Sequence, residues 1–197
     1  MLSGGQLAGG NSTTEKADND YYATDPKTTK LFLDRIFKDK ILEEINTISE
    51  PSCGEGFISE VLKEYFPKAI INSTDLIYRS YGEGRLDFLS NQYNKKHDLV
   101  ITNPPFSLIN EFINKGLEST NKYLIFLGKI QLLETKGRKN ILENSPLKYV
   151  YVHSNRQATW KNGKEFDEKG KKWATTMCLA WFVWDKEYKG EPIVKFI

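Results

Sequence analysis

Short apolar runs and helix-spaced apolar residues alternate along the middle of the chain. The short runs predict four strands, over residues 45–49, 70–74, 99–102 and 123–127. Between them, residues 57–65 have the spacing of an amphipathic helix that ends before Pro67, and Ser107 is placed to cap a further helix. Strands that alternate with helices are typical of a parallel α/β sheet, whose ligands bind beyond the carboxyl ends of the strands.

The first part of the chain changes its pattern near residue 20. Residues 1–20 are rich in Gly, Ser, Thr, Asn and charge without a helical or strand period, which predicts a flexible tail before a single domain over residues 21–197. A helix should begin at Pro26, with Asp25 as its N-cap. Its buried face is predicted to contain Leu31, Leu33, Ile36 and Phe37.

The last third of the chain favours strands. Residues 148–153 and 176–184 have strand patterns, and the polar segment between them predicts an antiparallel hairpin at the sheet edge. The aromatic run 181–184 fits a buried core strand better than an exposed stacking surface. The expected fold class is therefore α/β, with a mostly parallel sheet, helices on both faces and an antiparallel C-terminal hairpin.

Composition narrows the classes of protein to which the chain can belong. Its 197 residues suffice for one substantial core, and its apolar runs are too short to cross a membrane. Since the first residues lack the pattern of a secretory signal, we expect a cytoplasmic protein of a bacterium or a phage-infected cell, without a membrane partner and monomeric or weakly dimeric. Cys53 and Cys178 lie far apart without a histidine cluster, so we expect neither a disulfide nor a bound metal.

The tetrapeptide Asn103-Pro104-Pro105-Phe106 follows the third predicted strand and carries the strongest chemical signal. Two successive prolines fix the backbone and remove two N–H donors, so carbonyl groups here can accept hydrogen bonds from a ligand. An exocyclic amino group could donate to the side-chain oxygen of Asn103 and to the carbonyl of Pro104, while Phe106 offers a face to a flipped base. The alternative is a strand that ends in a simple Pro-Pro turn.

A glycine-containing turn lies between the first predicted strand and its helix. It reads Glu50-Pro51-Ser52-Cys53-Gly54-Glu55-Gly56, and its glycines allow the backbone to approach a ligand closely. Asp75 follows the next strand, 75 − 56 = 19 residues after Gly56, near the spacing of about 20 at which a carboxylate meets ribose hydroxyls. Turn and carboxylate together indicate an adenosine ligand, whereas the turn alone could be a plain connection.

Taken together, these motifs resemble the S-adenosylmethionine-dependent DNA adenine-N6 methyltransferases, in particular the small phage and prophage forms. The resemblance runs in the family's order through Asp20–Pro26, Glu50–Gly56, Asp75, Asp87-Phe88, Asn103–Phe106 and Cys178–Trp184. It implies a Rossmann-like methyltransferase fold, S-adenosylmethionine as cofactor and DNA as partner. Neither a metal nor a covalent nucleophile is required, because the methyl group is already activated on a sulfonium.

The resemblance also implies a role for each matching residue. Thr24 and its neighbours, Tyr22 among them, would hold the methionine carboxylate, and Glu50 would hold the methionine ammonium. The turn residues Pro51, Cys53, Gly54 and Gly56 would surround the cofactor. Asp75 would bind the ribose hydroxyls, Asp87 the adenine amino group and Phe88 the adenine ring. The target base would bind at Asn103, Pro104, Pro105 and Phe106.

A nucleic-acid surface must come from clustered charge, since 28 basic and 26 acidic residues leave a net charge of only +2. Residues 155–172 form the best candidate, a DNA-contacting hairpin insert with six basic and three acidic residues. The basic residues are Arg156, Lys161, Lys164, Lys169, Lys171 and Lys172. A solvated loop is the alternative, and a second cluster at Lys129, Lys136, Arg138 and Lys139 could flank the same cleft.

Other functions fit parts of the same pattern. Asn-Pro-Pro followed by an aromatic residue also suits enzymes that methylate RNA or a protein glutamine. A non-catalytic module that binds DNA or a partner protein on the same fold is an alternative of a different class. The presence of every expected cofactor residue favours an enzyme.

Overall fold

The computed structural model of the chain describes residues 17–134, 136–173 and 177–197. The helices of these residues are α1 (Pro26–Lys38), α2 (Phe57–Tyr65), α3 (Ile109–Ser119) and α4 (Lys136–Glu143). The strands are β1 (Tyr22–Thr24), β2 (Thr47–Glu50), β3 (Ile70–Ser73), β4 (His97–Thr102), β5 (Thr120–Lys129), β6 (Leu147–Val152), β7 (Thr159–Lys161), β8 (Leu179–Asp185) and β9 (Ile193–Phe196). Short 3₁₀ turns form at Asp18–Asp20, Phe106–Leu108 and Ile130–Leu133.

Seven of these strands form one sheet in the order β3-β2-β4-β5-β8-β6-β9. The pairs on the β3 side, β2 with β3, β2 with β4 and β4 with β5, are parallel. β8 runs antiparallel to both β5 and β6, and β9 is parallel to β6. The carboxyl ends of β2, β3, β4 and β5 therefore meet at one edge, where three of the sequence motifs begin. The α/β class and the mostly parallel sheet are confirmed.

Apolar residues fill both faces of this sheet. On one face, α1 and α2 pack over β2, β4 and β8 through Phe32, Ile36 and Leu62, all fully buried. On the other face, α3 packs through Phe112 and Ile113. The aromatic run of β8 is buried between these layers, with Trp181 and Trp184 fully covered, so the prediction of a core strand is confirmed.

Helix α1 begins where the sequence predicted but presents a different face to the core. Asp25 caps the helix, since its carboxylate accepts from the backbone N–H of Lys27 at 2.9 Å. Phe32 joins Leu33 and Ile36 in the core, whereas Leu31 and Phe37, which were expected there, are 39% and 41% exposed. The buried residues follow an i, i+1, i+4 spacing and therefore form one stripe along the helix, and Leu31 and Phe37 lie on either side of that stripe.

Two further expectations about secondary structure need correction. Ser107 does not cap α3, because a 3₁₀ turn precedes the helix and the cap position falls at Leu108. The predicted antiparallel pairing of the C-terminal strands is confirmed, since β6 pairs with β8, but the pair is not simply added at the sheet edge. β8 lies between β5 and β6, and β9, which has no predicted counterpart, is the outermost strand. Continuous apolar character marks a buried strand but does not give its place in the order.

The described residues include the last part of the predicted N-terminal tail. Residues 1–16 of the predicted tail lie outside the described residues, but Ala17 is buried and Asp18–Asp20 form a turn. The adjoining strand β1 pairs antiparallel with β7, which lies inside the basic insert. This small sheet connects the insert to the N-terminal motif. The connection could not be predicted from the sequence, because each of the two strands has only three residues. No helix among the described residues is long and apolar enough to span a membrane.

Candidate active site

A cleft of about 400 Å³ lies at the carboxyl edge of the sheet, beside the end of β4. Its walls come from the N-terminal segment, the turn after β2, the loop after β3 and the Asn-Pro-Pro-Phe loop. The lining residues are Asn19, Asp20, Tyr21, Tyr22, Ser52, Asp75, Leu76, Ile77, Arg79, Asn103, Pro104, Pro105, Phe106, Ser107 and Leu108. The fold therefore brings four motifs that are far apart in sequence into one cavity.

Two hydrogen bonds fix the side-chain amide of Asn103. Its Nδ2 donates to the backbone oxygen of Tyr22 at 2.8 Å and to Oγ1 of Thr24 at 3.1 Å. Because the carbonyl of Tyr22 can only accept, the nitrogen must face β1 and the orientation of the amide is determined. Oδ1 of Asn103 is buried without a hydrogen-bond partner. An unsatisfied buried acceptor costs roughly 1–3 kcal/mol, so the site favours a ligand that donates a hydrogen bond here.

The rest of the Asn-Pro-Pro-Phe loop is held rigidly beside this acceptor. The carbonyl of Pro105 accepts from the amide of Leu108 at 3.0 Å, which closes the 3₁₀ turn. The amide of Ser107 donates to Oδ2 of Asp20 at 3.1 Å, so the N-terminal turn is attached to the loop. The ring of Phe106 is half-buried and faces the ring of Tyr22.

Glu50 lies at the end of β2 and is the most deeply buried carboxylate of the site, with 1% of its surface exposed. The hydroxyl of Ser59 donates to its Oε2, and Ser59 is itself in contact with the hydroxyl of Ser73 at 2.5 Å. Burial, with a smaller contribution from the charge of Asp75, raises the pKa of Glu50 to about 8. One hydroxyl donor offsets part of the cost of burying this charge, and a ligand ammonium would offset more of it.

Asp75 follows β3 and accepts three hydrogen bonds from the protein. Its Oδ2 accepts from the amide of Gly54 at 2.9 Å, and its Oδ1 accepts from the amide of Ile77 at 2.8 Å. Nη1 of Arg79 also donates to Oδ1, at 3.1 Å, in an ion pair that is largely shielded from solvent. The carboxylate thus joins the glycine turn to the loop after β3, at the edge of the cleft.

The glycines of the turn have positive φ and lie against aromatic rings. Gly54 has φ +55° and Gly56 has φ +84°, a region that side chains other than glycine disfavour. A Cβ on Gly54 would lie 2.5 Å from the ring of Tyr21, and one on Gly56 would lie 2.5 Å from the ring of Tyr81. Protein rings lie against both glycines, and the close approach of a ligand to this turn stays a prediction.

Some residues at this edge were not identified from the sequence. The guanidinium of Arg79 lies 4.1 Å from the centre of the Tyr21 ring, and the hydroxyl of Tyr21 donates to Glu55 at 3.0 Å. Leu76 is 60% exposed although it lines the cleft, so it offers an apolar surface to a ligand. Ser59, the partner of Glu50, could have been found as a polar residue on the buried face of an otherwise apolar helix.

Asp87, Phe88 and Cys53 are not among the residues that line this cleft. Asp87 is exposed and its Oδ1 accepts from the amide of Leu89 at 2.9 Å. Phe88 is 2% exposed and packs against the rings of Tyr93 and Phe112, so its faces are used within the core. Cys53 is also buried, and burial raises the pKa of its thiol to about 12. Roles for Asp87 and Phe88 toward an adenine ring stay predictions.

The basic insert lies next to the site through β7. The amide of Asn162 donates to the carbonyl of Tyr21 at 3.1 Å, and the ring of Trp160 meets that of Phe57 edge-on at 5.1 Å. Lys172 is paired with Glu165 at 2.8 Å. The exposed basic residues of the insert are Arg156, Lys164, Lys169, Lys171 and Lys172, whereas Lys161 in β7 is half-buried.

Most of the chain matches one family of known proteins. The model of the EcoRI adenine-specific methyltransferase family matches residues 36–194. The chain belongs to this family. Within it, the chain is 30% identical over 112 residues to the type II methyltransferase M.EcoRI of Escherichia coli. That match covers 55% of this chain and 32% of the relative, so the chain spans about a third of the curated relative it matches.

The fold of this chain is similar to that of several solved structures. A class I S-adenosylmethionine-dependent methyltransferase from Listeria monocytogenes has a TM-score of 0.65 at 14% identity, over 97% of this chain and 68% of the other. An RNA methyltransferase structure from Pyrococcus horikoshii has a TM-score of 0.62 at 12% identity, over 91% and 94%. The expected methyltransferase fold and family are thereby confirmed, and S-adenosylmethionine is the cofactor of this class.

Proposed function

We propose that this protein transfers the methyl group of S-adenosylmethionine to the N6 amino group of an adenine flipped out of DNA. The observation that carries the proposal is the buried Oδ1 of Asn103, an acceptor without a partner in a cleft that also holds Pro104 and Phe106. An exocyclic amino group has two hydrogens, and Asn103 Oδ1 and the Pro104 carbonyl can accept one each. Family membership and the identity with M.EcoRI support adenine as the target.

The cofactor would lie over the turn between β2 and α2. Glu50 would accept from the methionine ammonium and Asp75 from the ribose hydroxyls, and the buried, strongly shifted carboxylate of Glu50 is suited to a cationic partner. Arg79 is already paired with Asp75, so a ribose hydroxyl would share this carboxylate with the guanidinium. When bound, S-adenosylmethionine supplies a methyl group on a positively charged sulfur.

The protein's own contribution is alignment and charge stabilisation. The lone pair of an adenine amino group is delocalised into the ring, and acceptors at Asn103 and Pro104 favour a more tetrahedral nitrogen. The same acceptors stabilise the positive charge that develops on the nitrogen as the new N–C bond forms. Because Asn103 is already held by β1, little reorganisation accompanies this step.

Transfer of labelled methyl groups to DNA, RNA and protein tests the proposal. We expect label in DNA, recovered as N6-methyladenine after digestion to nucleosides, and loss of the label in an Asn103→Ala variant. Label in RNA alone, or on glutamine, would place the activity in one of the alternative substrate classes. Cofactor and DNA binding without transfer would identify a binding module.

A further inference from the structure

The outermost strand of the large sheet, β9, presents an open edge. Among the described strands it pairs with β6 alone. Three of its side chains are apolar and exposed, Ile193 by 45%, Val194 by 51% and Phe196 by 64%. Natural sheet edges are commonly protected by a bulge, a proline or an exposed lysine. Lys195 gives no such protection, because its ammonium is paired with Oδ2 of Asp39 at 2.8 Å.

The hydrogen bonds of β9 show which of its backbone groups face outward. The amide of Ile197 donates to the carbonyl of Val152 in β6 at 2.9 Å. Because the direction of the backbone groups alternates along a strand, the groups of Val194 and Phe196 point away from β6. The carbonyl of Phe196 accepts from Nη1 of Arg35 at 2.8 Å. Both groups of Val194 and the N–H of Phe196 have no partner in the part of the chain that the structure describes.

These outward groups match those of a second copy in one antiparallel register. With Val194 opposite Val194 of the other copy, the two residues exchange a pair of hydrogen bonds. Two positions further along, the N–H of Phe196 reaches the carbonyl of Pro192 in the other copy. Pro192 has no N–H to donate in return. The carbonyl of Phe196 needs none, because Arg35 already donates to it.

The neighbouring registers match less well. Centred on Lys195, the register places two lysines directly opposite each other, which is destabilising, and calls on the occupied carbonyl of Phe196. Centred on Ile193, it places the carbonyl of Val194 opposite Pro192, which has no donor for it. In the Val194 register, the side chains brought opposite each other are Val194 with Val194 and Phe196 with Pro192, all exposed in the single chain. The edge is therefore self-complementary about Val194.

We propose that β9 is a dimerisation edge, at which a second copy of this chain adds its own β9 antiparallel and extends the sheet through both copies. This inference does not depend on the proposed function. The candidate site lies at the carboxyl ends of β2, β3 and β4, and β9 is at the far edge of the sheet, so the site stays open in the dimer. β9 has only four residues, so the dimer is weak and forms with rising concentration.

Sedimentation over a concentration series tests the edge, with Val194→Pro as the first variant. Proline removes an N–H that faces away from β6, so the pairing of β9 within the chain is kept. Loss of the hydrogen bonds between the two copies of residue 194 should raise the dimer Kd at least about tenfold. Val194→Ile keeps the backbone groups and an apolar side chain, and its Kd should stay within about threefold of the wild type. Thermal melting checks that both variants are folded.

A pair of charged variants tests the two-fold register. Val194→Lys and Val194→Glu should each be monomeric alone, because like charges then lie opposite each other. An equimolar mixture of the two should form a heterodimer. This test needs no proline, so it holds even where Val194→Pro lowers the stability of the chain.

Cross-linking tests the same register by distance. In a Cys178→Ser background, which removes the exposed native thiol, Val194→Cys should form a disulfide-linked dimer on oxidation. Opposite residues of this type have Cα atoms about 5.5 Å apart, which a disulfide can span. Phe196→Cys is the matched control, because the two copies of residue 196 lie four positions apart, roughly 13 Å. It should not cross-link.

Each outcome decides for or against the edge. A wild type that is monomeric at every concentration, with no cross-link through Val194→Cys, would overturn the proposal. So would a dimer that keeps its Kd in Val194→Pro, a mixture of charged variants that stays monomeric while the wild type dimerises, or equal cross-linking through Phe196→Cys. Selective cross-linking through Val194→Cys supports the register even where the wild type sediments mainly as monomer.

Discussion

The proposed target-base end and the proposed cofactor end of the candidate site differ in how far the protein already satisfies their polar groups. At the target-base end, Asn103 is locked by two donated hydrogen bonds and keeps Oδ1 without a partner. At the cofactor end, Asp75 accepts from two backbone amides and from Arg79, and Glu50 accepts from Ser59.

This difference indicates how each ligand would bind. An amino group that reached Asn103 Oδ1 would gain a hydrogen bond without breaking one. A cofactor ribose would share the Asp75 carboxylate with three donors that the protein already supplies, so fewer acceptor positions are left for it. In the proposed function, the acceptor for the base is therefore free of internal hydrogen bonds, whereas the acceptors for the cofactor are already partly used.

The largest effect that separates the two ends is expected for Asn103→Ala. This change removes a preorganised acceptor for the transferring amino group, so kcat should fall at least about 10²- to 10³-fold. Affinity for S-adenosylmethionine should stay within a few-fold, because Asn103 is proposed to bind the target amino group and touches the predicted cofactor residues Tyr22 and Thr24 only by donating hydrogen bonds to them. Single-turnover kinetics and isothermal titration measure the two quantities. Asn144→Ala, whose amide bonds within its own segment, is the control, and retained turnover in Asn103→Ala would refute the assignment.

At the cofactor end, Glu50→Gln should change both binding and the pH dependence of stability. The pKa of Glu50 is about 8 in the folded chain, against an ordinary glutamate pKa of 4.5. A raised carboxyl pKa means that the folded state holds the proton more tightly, so ionisation reduces stability as pH rises from about 4.5 to 8. Glutamine cannot ionise. The variant should therefore be more stable than the wild type at pH 8, by on the order of a few kcal/mol, and similar near pH 4.5.

Urea denaturation at pH 5 and pH 8 without ligand measures this difference, with Glu64→Gln as a surface control that is ion-paired with Lys30. The same variant should bind S-adenosylmethionine at least about tenfold more weakly, since a neutral amide cannot pair with an ammonium. A Glu50→Gln variant with the wild-type pH profile would show that the carboxylate does not limit stability. Wild-type cofactor affinity would remove Glu50 from the ammonium site.

The sequence predicts the helices and turns around the candidate site better than it predicts the contacts between their side chains. Residues 57–65 match α2 because apolar spacing and Pro67 both act locally. The turn before α2 needs positive φ, which makes its glycines recognisable in sequence. The orientation of the Asn103 amide is different: it depends on Tyr22 and Thr24, about 80 residues away, and nothing local encodes that pairing.

Short strands and edge strands are the elements that could not be predicted from the sequence. β1 and β7 have three residues each, too few for a period-2 pattern, yet they attach the basic insert to the site. β9 contains Ile193 and Phe196, both exposed, so its composition gives no sign of a buried face. Such elements are defined by pairing with distant strands, and only the folded chain contains that information.

An intermediate effect is expected for Asp75→Ala. Loss of charge-assisted hydrogen bonds to the ribose should weaken S-adenosylmethionine binding by roughly 1–3 kcal/mol. The matched control is Asp98→Ala, since Asp98 also accepts from two backbone amides, those of Asn46 and Thr47, but at the opposite edge of the sheet. Both variants should lose some stability, and titration should show weakened cofactor binding in Asp75→Ala. Unchanged affinity would mean that Asp75 only braces the glycine turn.

The smallest effects should come from the basic insert, which is linked to the base end through β1 and β7. If residues 155–172 follow the DNA backbone, removal of each phosphate-binding lysine should reduce the slope of log K against log salt by about 0.9. Replacing Lys169, Lys171 and Lys172 by alanine should therefore flatten the salt dependence and weaken DNA binding. Lys172 is paired with Glu165, so the change in slope should be smaller than three unpaired lysines would give.

Binding isotherms at several salt concentrations measure this slope, and cofactor titration checks that the site stays intact. The three lysines are exposed and lie outside the lining of the cleft, so S-adenosylmethionine affinity should not change. Lys136→Ala with Lys139→Ala is the comparison, because these residues belong to the second basic cluster on α4. If the insert variant keeps the wild-type slope and the α4 variant loses it, the DNA backbone lies along α4, and the β1–β7 pairing serves only to hold Tyr22 and Thr24 against Asn103.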